Sequence, residues 1–165
     1  MKQRVVAKQE NCAHCLVCGL ENEFGLKAAF FELENGEVAA LFNPQERHQS
    51  YPGRLHGGMA AAILDETIGR AVMIKNRGVW GVTAELSLRY LLPIPLAGEL
   101  RAVGRITRDT RRLFEGTGEI LLPNGDVAVS ACGTYLKLPL EKITGSAQFP
   151  WRVRAADDDP AEIAI

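Results

Sequence analysis

The chain has 165 residues, of which 47% are hydrophobic and 24% charged, with 19 Lys and Arg against 20 Asp and Glu for a formal charge of −1. That balance excludes disorder for the bulk of the chain and points to one globular domain with a sizeable core. It also argues against a nucleic-acid partner held by phosphate neutralisation, and no apolar run approaches the roughly 20 residues that a membrane span needs.

In chain order, residues 1–24 form an N-terminal Cys-rich segment. Residues 1–10 mix Lys2, Arg4 and Lys8 with too short an apolar stretch for a signal peptide. Cys12, Cys15 and Cys18 sit together instead of spreading along the chain, unlike a secreted disulfide framework. A cytoplasmic protein is expected. Asn35-Gly36 separates strand-like residues 26–33 from 37–42, and Asn124-Gly125 separates 113–122 from 126–138. Asn-Gly between apolar runs is the strongest short-range hairpin signal.

Residues 59–75 are Ala-rich, free of Pro and apolar around most of a helical circumference, which predicts one buried helix stopped near Gly78. Residues 82–90 alternate. Val82, Ala84, Leu86, Leu88 and Tyr90 would be buried, with Thr83, Glu85, Ser87 and Arg89 on the polar face. Pro93 and Pro95 end that strand, and residues 99–108 form another. The order is two strands, one helix, four strands: an α+β architecture, with an antiparallel sheet wrapped over one long buried helix. The main domain is expected over 25–140. Residues 141–165 read as a loosely packed tail, with Trp151 as its one anchor and Asp157, Asp158 and Asp159 in a row.

The chemistry concentrates at Leu55-His56-Gly57-Gly58, followed by Asp65 and Glu66 inside the helix. Glycines at a helix start let a ligand approach the backbone. The first-turn N–H groups lack intrahelical partners and sit at the positive end of the helix dipole, so they stabilise developing negative charge. A carboxylate in a buried helix is costly unless paired or functional. Asp65 and Glu66 point roughly 100° apart, so one can be a working acid and the other a structural partner. Asp65 lies eight residues after Gly57, roughly 12 Å along the axis. Leaning back recovers only about 3 Å, so both groups act on one carbonyl only if they come from two copies of the chain.

Residues Tyr51-Pro52-Gly53-Arg54-Leu55-His56-Gly57-Gly58, then Leu64-Asp65-Glu66, resemble the hotdog-fold thioesterases, in particular the PaaI-like acyl-CoA branch. Cys18-Gly19 with Asn22 and Gly25-Leu26, and residues 83–89 with Pro93, extend the resemblance over residues 15–138. It implies a homodimer, often paired into a homotetramer, and hydrolysis of an acyl-CoA to free acid and CoA without a cofactor or a metal. The Gly57 N–H, beside Gly58, would polarise the thioester carbonyl. Asp65 of the other subunit would be general base or nucleophile, and His56 would shape the turn or contact the carbonyl. Relatives often carry an Asn upstream of the His-Gly-Gly that orients the water. Here the stretch is His48-Gln49-Ser50, so the water-positioning residue is open.

Candidate substrate-binding residues are Glu66, His48, Thr83, Ser87 and Arg89. For CoA phosphates the candidates are Arg108, Arg111 and Arg112, in a run that also holds Arg101 and Arg105 against the one acid Asp109. A noncatalytic acyl-CoA-binding module on the same scaffold is the alternative. So is a metal- or redox-responsive protein centred on Cys12, Cys15 and Cys18. Their spacing is that of a metal knuckle, but zinc wants four ligands and no second Cys pair exists. Cys132, His48 or another subunit would have to supply the fourth.

Overall fold

The computed structural model describes residues 1–146 and 158–165. The strands are β1 (Lys2–Lys8), β2 (Ala29–Leu33), β3 (Val38–Phe42), β4 (Val79–Tyr90), β5 (Leu100–Asp109), β6 (Leu113–Leu121), β7 (Val127–Pro139) and β8 (Glu162–Ala164). They form one sheet in the order β4-β7-β6-β5-β3-β2-β1-β8, and every neighbouring pair is antiparallel. Helix α1 (Gly57–Arg70) continues into a short 3-10 turn, Ala71–Ile74, and packs across β3 to β7. A five-residue helix, α2 (Leu140–Thr144), follows β7. The expected sheet around one long helix is therefore present.

Both Asn-Gly hairpins form. Gly36 and Gly125 take φ of +83° and +91°, and the Asn side chains accept from Glu37 N and Asp126 N, each at 3.1 Å. The helix is buried along Ala60, Ile63, Leu64, Thr67 and Ile68, which meet Phe30, Phe42, Phe114, Ile120 and Tyr135. Three glycines let the helix settle onto the sheet. A Cβ on Gly104 would lie 2.8 Å from the Thr67 carbonyl oxygen, and those on Gly116 and Gly118 would strike the Ile68 side chain.

Two corrections concern the ends. The sheet has eight strands where the hydropathy pattern predicts six. Residues 2–8 form β1, and residues 162–164 of the expected loose tail form β8 against it, with Ile163 buried beside Phe31 and Leu33. The reading of Trp151 lies outside the described residues. A third correction concerns β4, an edge strand bulged between Thr83 and Glu85. Ala84 sits in the bulge and Tyr90 at the end of the strand, and both are exposed instead of buried, while Leu86 and Leu88 keep the expected face. Among the described residues, no helix is long and apolar enough to cross a membrane.

Candidate active site

The helix mouth is built by residues on both sides of Gly57. His56 caps α1, its Nδ1 accepting the Gly58 N–H at 2.9 Å. Met59 N and Ala60 N both bond to the His56 carbonyl. That leaves the Gly57 N–H as the first-turn donor without an acceptor among the described residues, the arrangement that stabilises an oxyanion. His56 thus shapes the turn. Tyr90 fixes it from the other side. Its hydroxyl donates to the Gly57 carbonyl at 2.8 Å, and its ring packs on Gly57. The hydropathy pattern assigned Tyr90 to the buried face of its strand and missed this contact. Gly57 opens onto an apolar cleft of about 330 Å³ between Tyr51, Leu55, Tyr90, Leu92 and Ile94.

Asp65 opens elsewhere. With Glu66, Arg70, Trp80, Thr83 and the three clustered cysteines it lines a separate cavity of about 310 Å³. It is half-buried, less enclosed than a mid-helix acid was expected to be. The Thr83 hydroxyl donates to Asp65 Oδ1 at 2.7 Å, so Thr83 orients the carboxylate. Tyr135 donates to the Asp65 backbone carbonyl at 3.2 Å. Burial, with the Asp65 charge second, pushes the Tyr135 phenol well above its ordinary range, so it stays a neutral donor. Glu66 has the structural role, its Oε1 paired with the buried Arg70 at 2.7 Å.

The other sequence candidates are dispersed. His48 is buried, and both ring nitrogens are engaged. Nδ1 accepts the Gln45 N–H at 3.0 Å, which places the proton on Nε2 for donation to the Phe24 carbonyl at 3.0 Å. His48 therefore braces the loop ahead of the helix and does not reach Asp65's cavity. Ser87 and Arg89 stand exposed further along edge strand β4. In the arginine run, Arg105 forms a two-toothed pair with Glu119 and also bonds Glu37. Arg101 donates to the Ala164 and Leu122 carbonyls. Those two are structural. Arg108 is paired with Glu115 at 3.0 Å but exposed, and Arg111 and Arg112 are exposed at the β5–β6 turn.

The three N-terminal cysteines wall Asp65's cavity. The Cys15 Sγ donates to Glu66 Oε2 at 3.1 Å, and Cys12 and Cys18 Sγ lie 3.6 Å apart. Donation from the Cys18 thiol, helped by the Val17 and Cys18 N–H groups, lowers the Cys15 thiol to about 7 against burial and the Glu66 charge.

An antiparallel sheet curled around one central helix, with a capped Gly-Gly at the helix mouth and an acid two turns on, defines a hotdog-fold protein. The family model described as thioesterase superfamily matches residues 52–129. A crystallised thioesterase superfamily protein is 32% identical and superposes with a TM-score of 0.69 over 74% of this chain and 60% of that one. Residues 52–129, just under half of the chain, thus carry the thioesterase superfamily pattern. Human acyl-coenzyme A thioesterase 13 is 26% identical over 78 residues, 47% of this chain and 56% of the relative. Mouse acyl-coenzyme A thioesterase THEM4 is 27% identical over 142 residues, 86% of this chain and 59% of the relative. The chain thus spans less than two thirds of the length of these curated relatives. The Escherichia coli PaaI protein shares the fold at 14% identity, with a TM-score of 0.62 over 68% of this chain and 80% of that one.

Proposed function

We propose that the protein is a cytoplasmic acyl-CoA thioesterase working as a homo-oligomer, a dimer or a tetramer, that hydrolyses a thioester to a free carboxylic acid and CoA. One observation carries this reading. The unpartnered Gly57 N–H and the Asp65 carboxylate belong to one helix yet open into separate cavities. Each is half of a hydrolytic centre, and a second copy of the chain supplies the missing half. The names of the curated relatives support the same substrate class.

The substrate carbonyl rests on the Gly57 N–H of one subunit. Asp65 of the other removes a proton from water as the water attacks that carbonyl. The tetrahedral oxyanion gathers charge against the Gly57 N–H and the positive end of α1. Its collapse breaks the C–S bond, and the departing CoA thiolate takes up the proton. Asp65 can instead attack directly, forming an acyl-aspartyl anhydride that water then cleaves. Label in Asp65 after a single turnover in ¹⁸O-water would identify direct attack followed by cleavage at the aspartyl carbonyl. No cofactor enters the reacting centre. Of the arginines singled out from the sequence, Arg89, Arg108, Arg111 and Arg112 are exposed and are the candidates for CoA phosphates.

A panel of aromatic and aliphatic acyl-CoAs tests the reading, with release of free thiol as the measurement. Turnover of at least one member is expected. Tight binding without turnover, seen by calorimetry, would instead identify a binding module. Thr83→Val should lower kcat by about 10- to 100-fold, the loss of one hydrogen bond to a charged group, with KM nearly unchanged. An unaltered kcat would remove Thr83 from the orienting role.

A further inference from the structure

We propose that Cys12, Cys15, Cys18 and Glu66 form a zinc site that fastens the N-terminal segment to the central helix beside Asp65. This goes beyond thioester hydrolysis and is independent of it.

The three Sγ atoms lie within 4.8 Å of one another. At a Zn–S distance of about 2.3 Å, tetrahedral thiolates sit about 3.8 Å apart. The Cys12–Cys18 separation of 3.6 Å is close to that edge. The fourth donor, absent from the Cys spacing, comes from the helix. Glu66 Oε2 is 3.1 Å from Cys15 Sγ but lies outside the set of atoms within 4.8 Å of one another, so the carboxylate has to swing by more than about 1 Å toward the other sulfurs to complete the four.

The two sources on the same chain considered from sequence do not supply it. His48 has both ring nitrogens engaged. Cys132 stands on β7 at a different cavity, beside Ser87 and Thr117.

The surroundings suit thiolates. The Cys15 N–H points at Cys12 Sγ at 3.2 Å, and the Val17 and Cys18 N–H groups point at Cys15 Sγ at 3.2 and 3.4 Å. Backbone donors aimed at sulfur favour its charged form. Glu66 is held by a partner of its own, since Oε1 receives Arg70 Nη2 at 2.7 Å and Nε at 2.9 Å. An orienting partner of this kind tunes a metal ligand. Arg70 is only 5% exposed. Its cation, 4.1 Å above the Phe30 ring, offsets part of the negative charge that three thiolates and a carboxylate bring to one divalent ion.

Three sulfurs and one carboxylate oxygen select zinc over magnesium or calcium. Four protein donors leave no open position, so the ion is structural. Binding displaces the thiol protons into solvent. The site joins residues 12–18 to the helix at Glu66, the neighbour of Asp65, and so fixes one wall of that acid's cavity.

The test uses the full chain purified under reducing conditions without chelator. Elemental analysis should find zinc in a one-to-one ratio with protein. Exchange for Co²⁺ should give a thiolate-to-cobalt charge-transfer band and the intense visible bands of a four-coordinate ion. Cys132→Ser should retain zinc fully. Cys12→Ser and Cys18→Ser should lose it, and Glu66→Gln should bind at least about 10-fold more weakly in competition with a chromophoric chelator. The reduced wild type, loaded with Zn²⁺ or Co²⁺ alone, keeps the proposal testable if a variant fails to fold. Substoichiometric zinc after loading, a six-coordinate Co²⁺ spectrum, or a Cys12–Cys18 disulfide in anaerobically purified protein would each overturn it. Unchanged affinity in Glu66→Gln would remove the carboxylate from the set.

Discussion

Asp65→Asn should lower kcat/KM on the best acyl-CoA by about 10²- to 10⁴-fold, the usual contribution of a positioned base, without disturbing the fold. The amide is isosteric and its carbonyl oxygen still accepts the Thr83 hydroxyl, so the helix has no reason to shift. Gly57→Pro is the complementary lesion. Proline is well tolerated at the first helical position, where its missing N–H removes no helical bond. The residue there is the one with an unpartnered donor, and loss of an oxyanion-type donor costs about 10²- to 10³-fold in kcat.

Each variant alone should be nearly inactive. Co-expressed, they should recover activity, because a mixed dimer holds one centre built from an intact Gly57 of one chain and an intact Asp65 of the other. Thiol release by the purified mixture, set against each homo-oligomer, reads the outcome. No recovery in a mixture shown to contain mixed oligomers would place both groups on one chain. Full activity in Asp65→Asn would remove the acid from the mechanism.

How much of this was legible in the sequence depends on the range of the interactions involved. The hairpins at Asn35-Gly36 and Asn124-Gly125 were readable because the turn chemistry is local: each glycine takes positive φ and each Asn side chain caps its own turn. Helix α1 was readable from its apolar circumference, and the Gly57–Asp65 separation from helical rise alone.

Strand β1 was not, because KQRVVAK carries three cations and is bulged between Val5 and Ala7. It becomes a strand by pairing with β2 on one side and with residues 162–164, which arrive from the other end of the chain, on the other. The Thr83–Asp65 and Tyr90–Gly57 contacts join a strand to a helix across 18 and 33 residues. They depend on register and on the bulge in β4, which no local pattern reveals. Glu66 shows the same limit. Its pairing with Arg70 four residues on follows helical spacing, whereas its approach to Cys15 crosses 51 residues.

Gly104→Ala should destabilise the protein by about 1–3 kcal/mol, the usual cost of overpacking, and lower its thermal midpoint by roughly 3 to 12 °C. The new methyl would sit 2.8 Å from the Thr67 carbonyl oxygen and 2.9 Å from the Ile68 nitrogen. Both are helix backbone, so no rotamer change can relieve the clash, and either α1 lifts or β5 bends. Lifting is resisted where Ile68 sits over Gly116 and Gly118. Any lift also acts two residues from Asp65, whose carboxylate is held by Thr83 on a different strand. The variant should therefore lose kcat even at temperatures where circular dichroism shows it fully folded, while Gly125→Ala, in open space on a turn, should lose stability through its positive φ alone and leave kcat intact. Equal kcat for both variants and wild type would mean that the seating of α1 on the sheet does not set the position of the acid.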